Sequence, residues 1–158
     1  MSPHRLHPHL FALTIGINKY RSPDITELLG AVADADSVRD FLVKQLGVPS
    51  SQIKNLRGSE ATRSAILAEI EALSNNSKIR KGDPILIFYA GHGSSVNTPN
   101  SKRWNGGGTG KIQLMIPYDH YSSLKDANPE HGIPDRTLGV LLSHLADKKG
   151  DNIVRQTF

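Results

Sequence analysis

The apolar run ILIFYA (85–90) stops at a histidine, His92, held between Gly91 and Gly93. An imidazole gives and takes a proton near neutral pH, so at a strand end it can serve acyl transfer as general base and then general acid. The two glycines let the backbone turn sharply and come close to a ligand. They also leave an amide, that of Gly93, beside the ring, where it could hold an oxyanion. The same Gly-His-Gly pattern suits a structural histidine in a tight turn, and alone it does not choose between the two. A base also needs a nucleophile. The 158 residues contain no cysteine, which excludes disulfides, paired-cysteine metal sites and thiol chemistry by these residues as they stand. Ser94 and Ser95 follow the histidine, but nothing in the sequence gives either an activating geometry.

Other motifs fail on inspection. NGGGTGK (105–111) lacks the phosphate-loop pattern, because Asn105 stands where its first glycine belongs and Ile112 where its Ser or Thr belongs. It also has no strand before it and no helix after it. There is no G-x-S-x-G elbow and no H-E-x-x-H. The N-terminal HRLHPH, between Pro3 and Pro8, reads as an unstructured tail rather than a metal site, and His144 as a boundary side chain. The formal charge of +4 is scattered, with KIRK (78–81) and DKK (147–149) the densest clusters, so it reads as a solvated face and basic helix ends. Aromatics make up only 6%, too few for a stacking platform, and no nucleic-acid partner is expected. No apolar stretch approaches the ~20 residues of a membrane span. LFALTIGI (10–17) follows a leader with little positive charge and no cleavage pattern, so a buried strand in a cytosolic protein is expected, with no membrane partner.

The elements that must position His92 follow from periodicity. LFALTIGI and ILIFYA are continuous apolar runs of strand length, the pattern of strands covered on both faces. Segments 33–47, 62–74 and 133–150 carry apolar residues at helical spacing, with Asp34 or Asp36 as a cap for the first. Gly47, Pro49 and Gly150 stop helices, and Leu138, Leu141, Leu142 and Leu145 form the apolar face of the last. IKNL (53–56), IQLMIPYD (112–119) and a segment from Asp151 are further strands, and 94–111 is a long loop carrying Trp104. Strands alternating with helices imply an α/β fold, a three-layer α/β/α arrangement around a largely parallel sheet. One domain is expected over 10–158, behind a disordered tail at 1–9. Ligands of such sheets sit at the carboxyl ends of strands, where His92 lies.

In order, LFALTIGINKY, LLGAVADADSVRDFL, GDPILIFYAGHGS, QLMIPYD and IPDRTLGVLLSHL followed by GDN resemble the large-subunit region of caspase-like cysteine peptidases. The likeness is greatest to the metacaspase and fungal caspase-domain branch, and it runs from about residue 10 to residue 153. It implies a caspase-like fold acting on peptide or protein substrates, with His92 as the histidine of a Cys-His dyad and the Gly93 N–H as an oxyanion donor. It also assigns the substrate pocket to the start of the first helix. There Asp34 is present, Ala31 replaces a cysteine, and Ala90 stands where serine is common. Asp34 would then favour Arg or Lys before the cut by charge-assisted pairing. As a helix cap instead it would contribute about 1 kcal/mol, and both roles are compatible. Some metacaspases hold calcium through carboxylates at about the places of Asp119 and Asp135. Arg136 puts a positive charge beside them, which disfavours a hard cation, so no cofactor is expected.

In this family the strand after the last helix leads into an Asp-x-Cys-His-Ser-Gly type motif bearing the nucleophile. Here GDNIV passes into RQTF. The expectation is a caspase-like domain incomplete on its C-terminal side and truncated before its cysteine, inactive alone and marginally stable or self-associating. The alternative is a non-catalytic module or decoy that pairs, through the open strand edge, with a full-length caspase-like relative.

Overall fold

All six residues of β1 (Phe11–Gly16) are buried, and their side chains sort to two faces by the period of a strand. Phe11, Leu13 and Ile15 join a cluster with Ile66, Ile70, Leu138 and Leu145, whereas Ala12 packs with Leu42 and Val48. The source is a computed structural model, which describes residues 7–97, 110–128 and 131–157. The described helices are α1 (Ala31–Lys44), α2 (Arg63–Asn75) and α3 (Asp135–Lys149). α1 covers one face of the sheet while α2 and α3 cover the other, so the expected three layers are present. A fully buried isoleucine such as Ile15, Ile66 or Ile70 contributes roughly 1.5–3 kcal/mol.

The central sheet is wholly parallel. Its order is β2 (Ile53–Arg57), β1, β3 (Ile85–Ala90) and β7 (Ile153–Thr157). β3 repeats the alternation of β1: Ile85, Ile87 and Tyr89 face α2 and α3, and Phe88 and Ala90 face α1. At Gly16 the sheet and α1 touch backbone to backbone, since a Cβ there would lie 2.6 Å from Ala31 O and 2.7 Å from Val32 Cα. β7 pairs with β3 as expected, but Val154, Arg155, Gln156 and Thr157 remain exposed. Beside it, Phe41 and Val154, each more than half exposed, border an apolar groove with Val38, Leu86 and Leu46.

Three expectations need correction. The segment after His92 is not all loop: Gly93–Asn97 forms β4, antiparallel to β5 (Lys111–Met115), and β5 pairs with the short β6 (Ile133–Pro134). These three strands form a second sheet, so 112–119 does not extend the central one. Residues 98–109, with Trp104, lie outside the described residues. Neither Asp34 nor Asp36 caps α1, whose cap residue Gly30 makes no side-chain bond. The Asn18 side chain accepts from Val32 N instead (3.0 Å), and Asp36 pairs with Arg57 (3.0 Å) and Asn55 (2.8 Å). Residues 7–9 are also tied down, through His7 N to Leu46 O (2.9 Å) and Gln52 Nε2 to Pro8 O (2.9 Å).

Candidate active site

β3 carries the chain to the carboxyl end of the sheet, and Gly91 turns it there. A side chain at 91 would put its Cβ 2.5 Å from Tyr89 Oη and 2.9 Å from Tyr20 Oη, so only glycine fits. His92 follows, half-buried, with its backbone N–H donating to Tyr20 Oη at 2.7 Å. Its ring Nε2 lies 2.7 Å from the Thr26 carbonyl oxygen. A carbonyl can only accept, so Nε2 carries a proton, and in the neutral ring Nδ1 is the nitrogen with the free lone pair. The His92 carbonyl accepts from Ile116 N (3.0 Å) and from Tyr89 Oη (2.8 Å).

The next amide is turned outward. Gly93 stands opposite Met115, and the Ile116-to-His92 bond makes this a non-hydrogen-bonded pair of the antiparallel ladder. The N–H of Gly93 therefore points away from β5. Gly91 and Gly93 line a cavity of about 250 Å³ with Met115, Asp135, Arg155 and Thr157. It opens where β3 and β7 end side by side, Tyr89 being in register with Thr157.

Both phenols are held neutral. Burial raises the Tyr20 pKa, and the hydrogen bond from the His92 backbone offsets only part of that. Burial also pushes Tyr89 well above the usual tyrosine range. Ser94 Oγ donates to Leu124 O (2.8 Å) and Ser95 Oγ accepts from Gln113 Nε2 (3.2 Å), so both hydroxyls are engaged away from the ring.

The remaining candidates fall into two groups. Ala31 and Ala90 are brought together, buried with Ala35 and Phe88. Asp34 is exposed one helical turn beyond Ala31. The loop of residues 18–28 links these to His92: Asn18 supports the start of α1, while Tyr20 and Thr26 grip the histidine. Asp119 and Asp135 each hold the first turn of a different helix. Asp119 Oδ1 accepts from Arg63 N at the start of α2 (2.8 Å), and Asp135 Oδ1 accepts from Arg136 N at the start of α3 (2.7 Å). Among the described residues no group of three or more His, Asp or Glu side chains converges.

Sequence reading missed Tyr20, Thr26 and Tyr89. The signal for Tyr89 was present, because a phenol inside an apolar, doubly covered strand must find a buried partner. Thr26 contributes only a backbone oxygen, which no side-chain pattern reveals.

The family model described as "Caspase domain" matches residues 9–144. The chain belongs to the caspase-domain family. This caspase domain is 29% identical over 125 residues to Metacaspase-3 of Arabidopsis thaliana, covering 75% of this chain and 32% of the relative. Its fold matches the crystal structure of protein GSU0716 from Geobacter sulfurreducens with a TM-score of 0.65 at 21% identity, over 94% of this chain and 48% of that one. The domain thus spans about a third of the curated relative and about half of the structural neighbour. No helix among the described residues is long and apolar enough to cross a membrane.

Proposed function

We propose that this domain supplies the base and oxyanion side of a caspase-type cysteine endopeptidase site, the thiol coming from polypeptide outside these 158 residues. His92 carries the reading: its Nε2–H is fixed on the Thr26 carbonyl, and among the described residues no hydrogen bond engages Nδ1. Nδ1 would take the thiol proton as sulfur bonds to the substrate carbonyl carbon. It would return that proton to the leaving amine as the C–N bond breaks, and water would then hydrolyse the thioester. The outward N–H of Gly93 suits the developing oxyanion. The exposed Asp34 carboxylate would select Arg or Lys before the cut, beside Ala31 and Ala90. The working compartment would be the cytosol.

The 158 residues alone should cleave no peptide with Arg or Lys before the scissile bond. A chimera that continues β7 into the remaining sequence of the Arabidopsis relative should do so. His92→Ala should cut that activity by about 10²–10⁴, the range for loss of a general acid–base. Turnover by the 158-residue chain, or a folded chimera whose activity ignores His92→Ala, would overturn the reading.

A second reading rests on β7. Its last four residues are exposed, and among the described strands it has β3 on one side only. An unpaired strand edge recruits other chains, so the domain would act as a non-catalytic module pairing with a full-length relative. Co-purification with such a relative, lost when Gln156→Pro blocks strand pairing, distinguishes it.

A further inference from the structure

We propose that Tyr20 and Tyr89 are positioning residues for His92, Tyr20 holding its backbone N–H and Tyr89 its backbone carbonyl. This rests on the reading of His92 as a base. Tyr20 Oη accepts the His92 N–H at 2.7 Å and still has its own proton to donate. Tyr89 Oη lies 2.8 Å from both the His92 and the Ile116 carbonyl oxygens, which only accept, so its proton is spent on them. Both hydroxyls lie against Gly91, where an added Cβ would stand 2.5 Å from Tyr89 Oη and 2.9 Å from Tyr20 Oη.

The two phenols pin both peptide groups that flank the His92 Cα. The first sets the direction in which the imidazole leaves the backbone. The second also contains the Gly93 N–H, because the His92 C=O and that N–H share one planar trans peptide. Holding the carbonyl toward Tyr89 and Ile116 therefore aims the Gly93 amide the other way, outward. Tyr20 adds a second constraint through its loop. Leu28 N donates to Asn18 O at 2.8 Å and closes the loop's base, and Thr26 from the same loop holds the ring Nε2. One loop thus grips His92 twice, at the main chain through Tyr20 and at the ring through Thr26. Gly91 belongs to the device, because any side chain there would displace both hydroxyls.

The test is Tyr20→Phe in the 158-residue chain labelled with ¹⁵N histidine, read by long-range ¹H–¹⁵N spectra and amide exchange. The parent should show His92 as a single Nε2–H tautomer. The variant should show a measurable Nδ1–H population, and amide exchange about tenfold faster at His92, the size one lost hydrogen bond gives. Tyr121→Phe, which removes a hydroxyl from an exposed ring, should change neither. A folded Tyr20→Phe protein with one tautomer and unchanged exchange overturns the proposal. If that variant does not fold, the parent still decides. A slowly exchanging Tyr89 hydroxyl proton supports the hold on the His92 carbonyl, and a freely exchanging one overturns it. No readout uses peptide cleavage, so this proposal and the peptidase reading fail separately.

Discussion

Two histidines follow strands of this domain, and they use their rings in opposite ways. His92 is half-buried, with one ring nitrogen on the Thr26 carbonyl and the other unengaged among the described residues. His120, after β5, is fully buried, with Nδ1 on the Ser122 carbonyl at 3.1 Å and Nε2 without a hydrogen-bond partner among the described residues. An unspent nitrogen within reach of solvent is a reagent. An unspent nitrogen sealed in the interior can only be a liability, because protonating it would bury a charge without an acceptor. Burial accordingly lowers the His120 pKa, and the charge of His131 adds to this, while the Ser122 carbonyl and Asp119 act against it. The lesson is that accessibility of the second nitrogen, not the presence of a histidine at a strand end, separates a candidate base from a structural residue.

That contrast can be broken by substitution. His120→Ala should destabilise the domain by about 2–3 kcal/mol, through a cavity and an orphaned Ser122 carbonyl. His92→Ala should cost no more than about 1 kcal/mol. Urea unfolding of the two variants checks this, and equal losses would erase the distinction.

Acid should sharpen it. The His120 pKa in the folded state lies below the ordinary histidine value of about 6.5. Its contribution to stability is therefore fully present above that unfolded value and is lost as pH falls through the depressed one. Unfolding midpoints should decline from pH 7 into the acid range, and His120→Phe should flatten that decline.

The smallest effect concerns the sheet, where β3 is spent on both sides and β7 on one. Val154→Thr should leave the midpoint within about 0.5 kcal/mol, since Val154 is already more than half exposed. It should lessen any concentration-dependent association seen by sedimentation, because it removes apolar surface from the groove beside Phe41. An unchanged association constant would show that the open edge does not drive contact.

The parallel core was legible because β3 is apolar throughout and β1 apart from Thr14, and because α2 and α3 carry clean helical stripes. Thr62 caps α2 through Ala65 N (3.2 Å), and Gly150 ends α3 at φ 89°, both by local chemistry that sequence displays. β4 was hidden because Gly93–Asn97 is short, small and polar, and it becomes a strand only through its partner β5. The start of α1 misled for a related reason, since its supporting oxygen comes from Asn18, fourteen residues before Val32. Within the site, His92 and its glycines could be read directly. The hydroxyl and carbonyl that hold them come from 72 and 66 residues away, at distances no local pattern spans.

Gly16 has a consequence for how such a site can change. Because β1 meets α1 there with no side chain between them, the offset between the sheet edge and the first turn of the helix is fixed by main-chain thickness alone. No substitution can trim that offset, and every substitution enlarges it. The proposed substrate pocket could then diversify only by repainting positions such as 31, 34 and 90, while the spacing of strand and helix stays inherited.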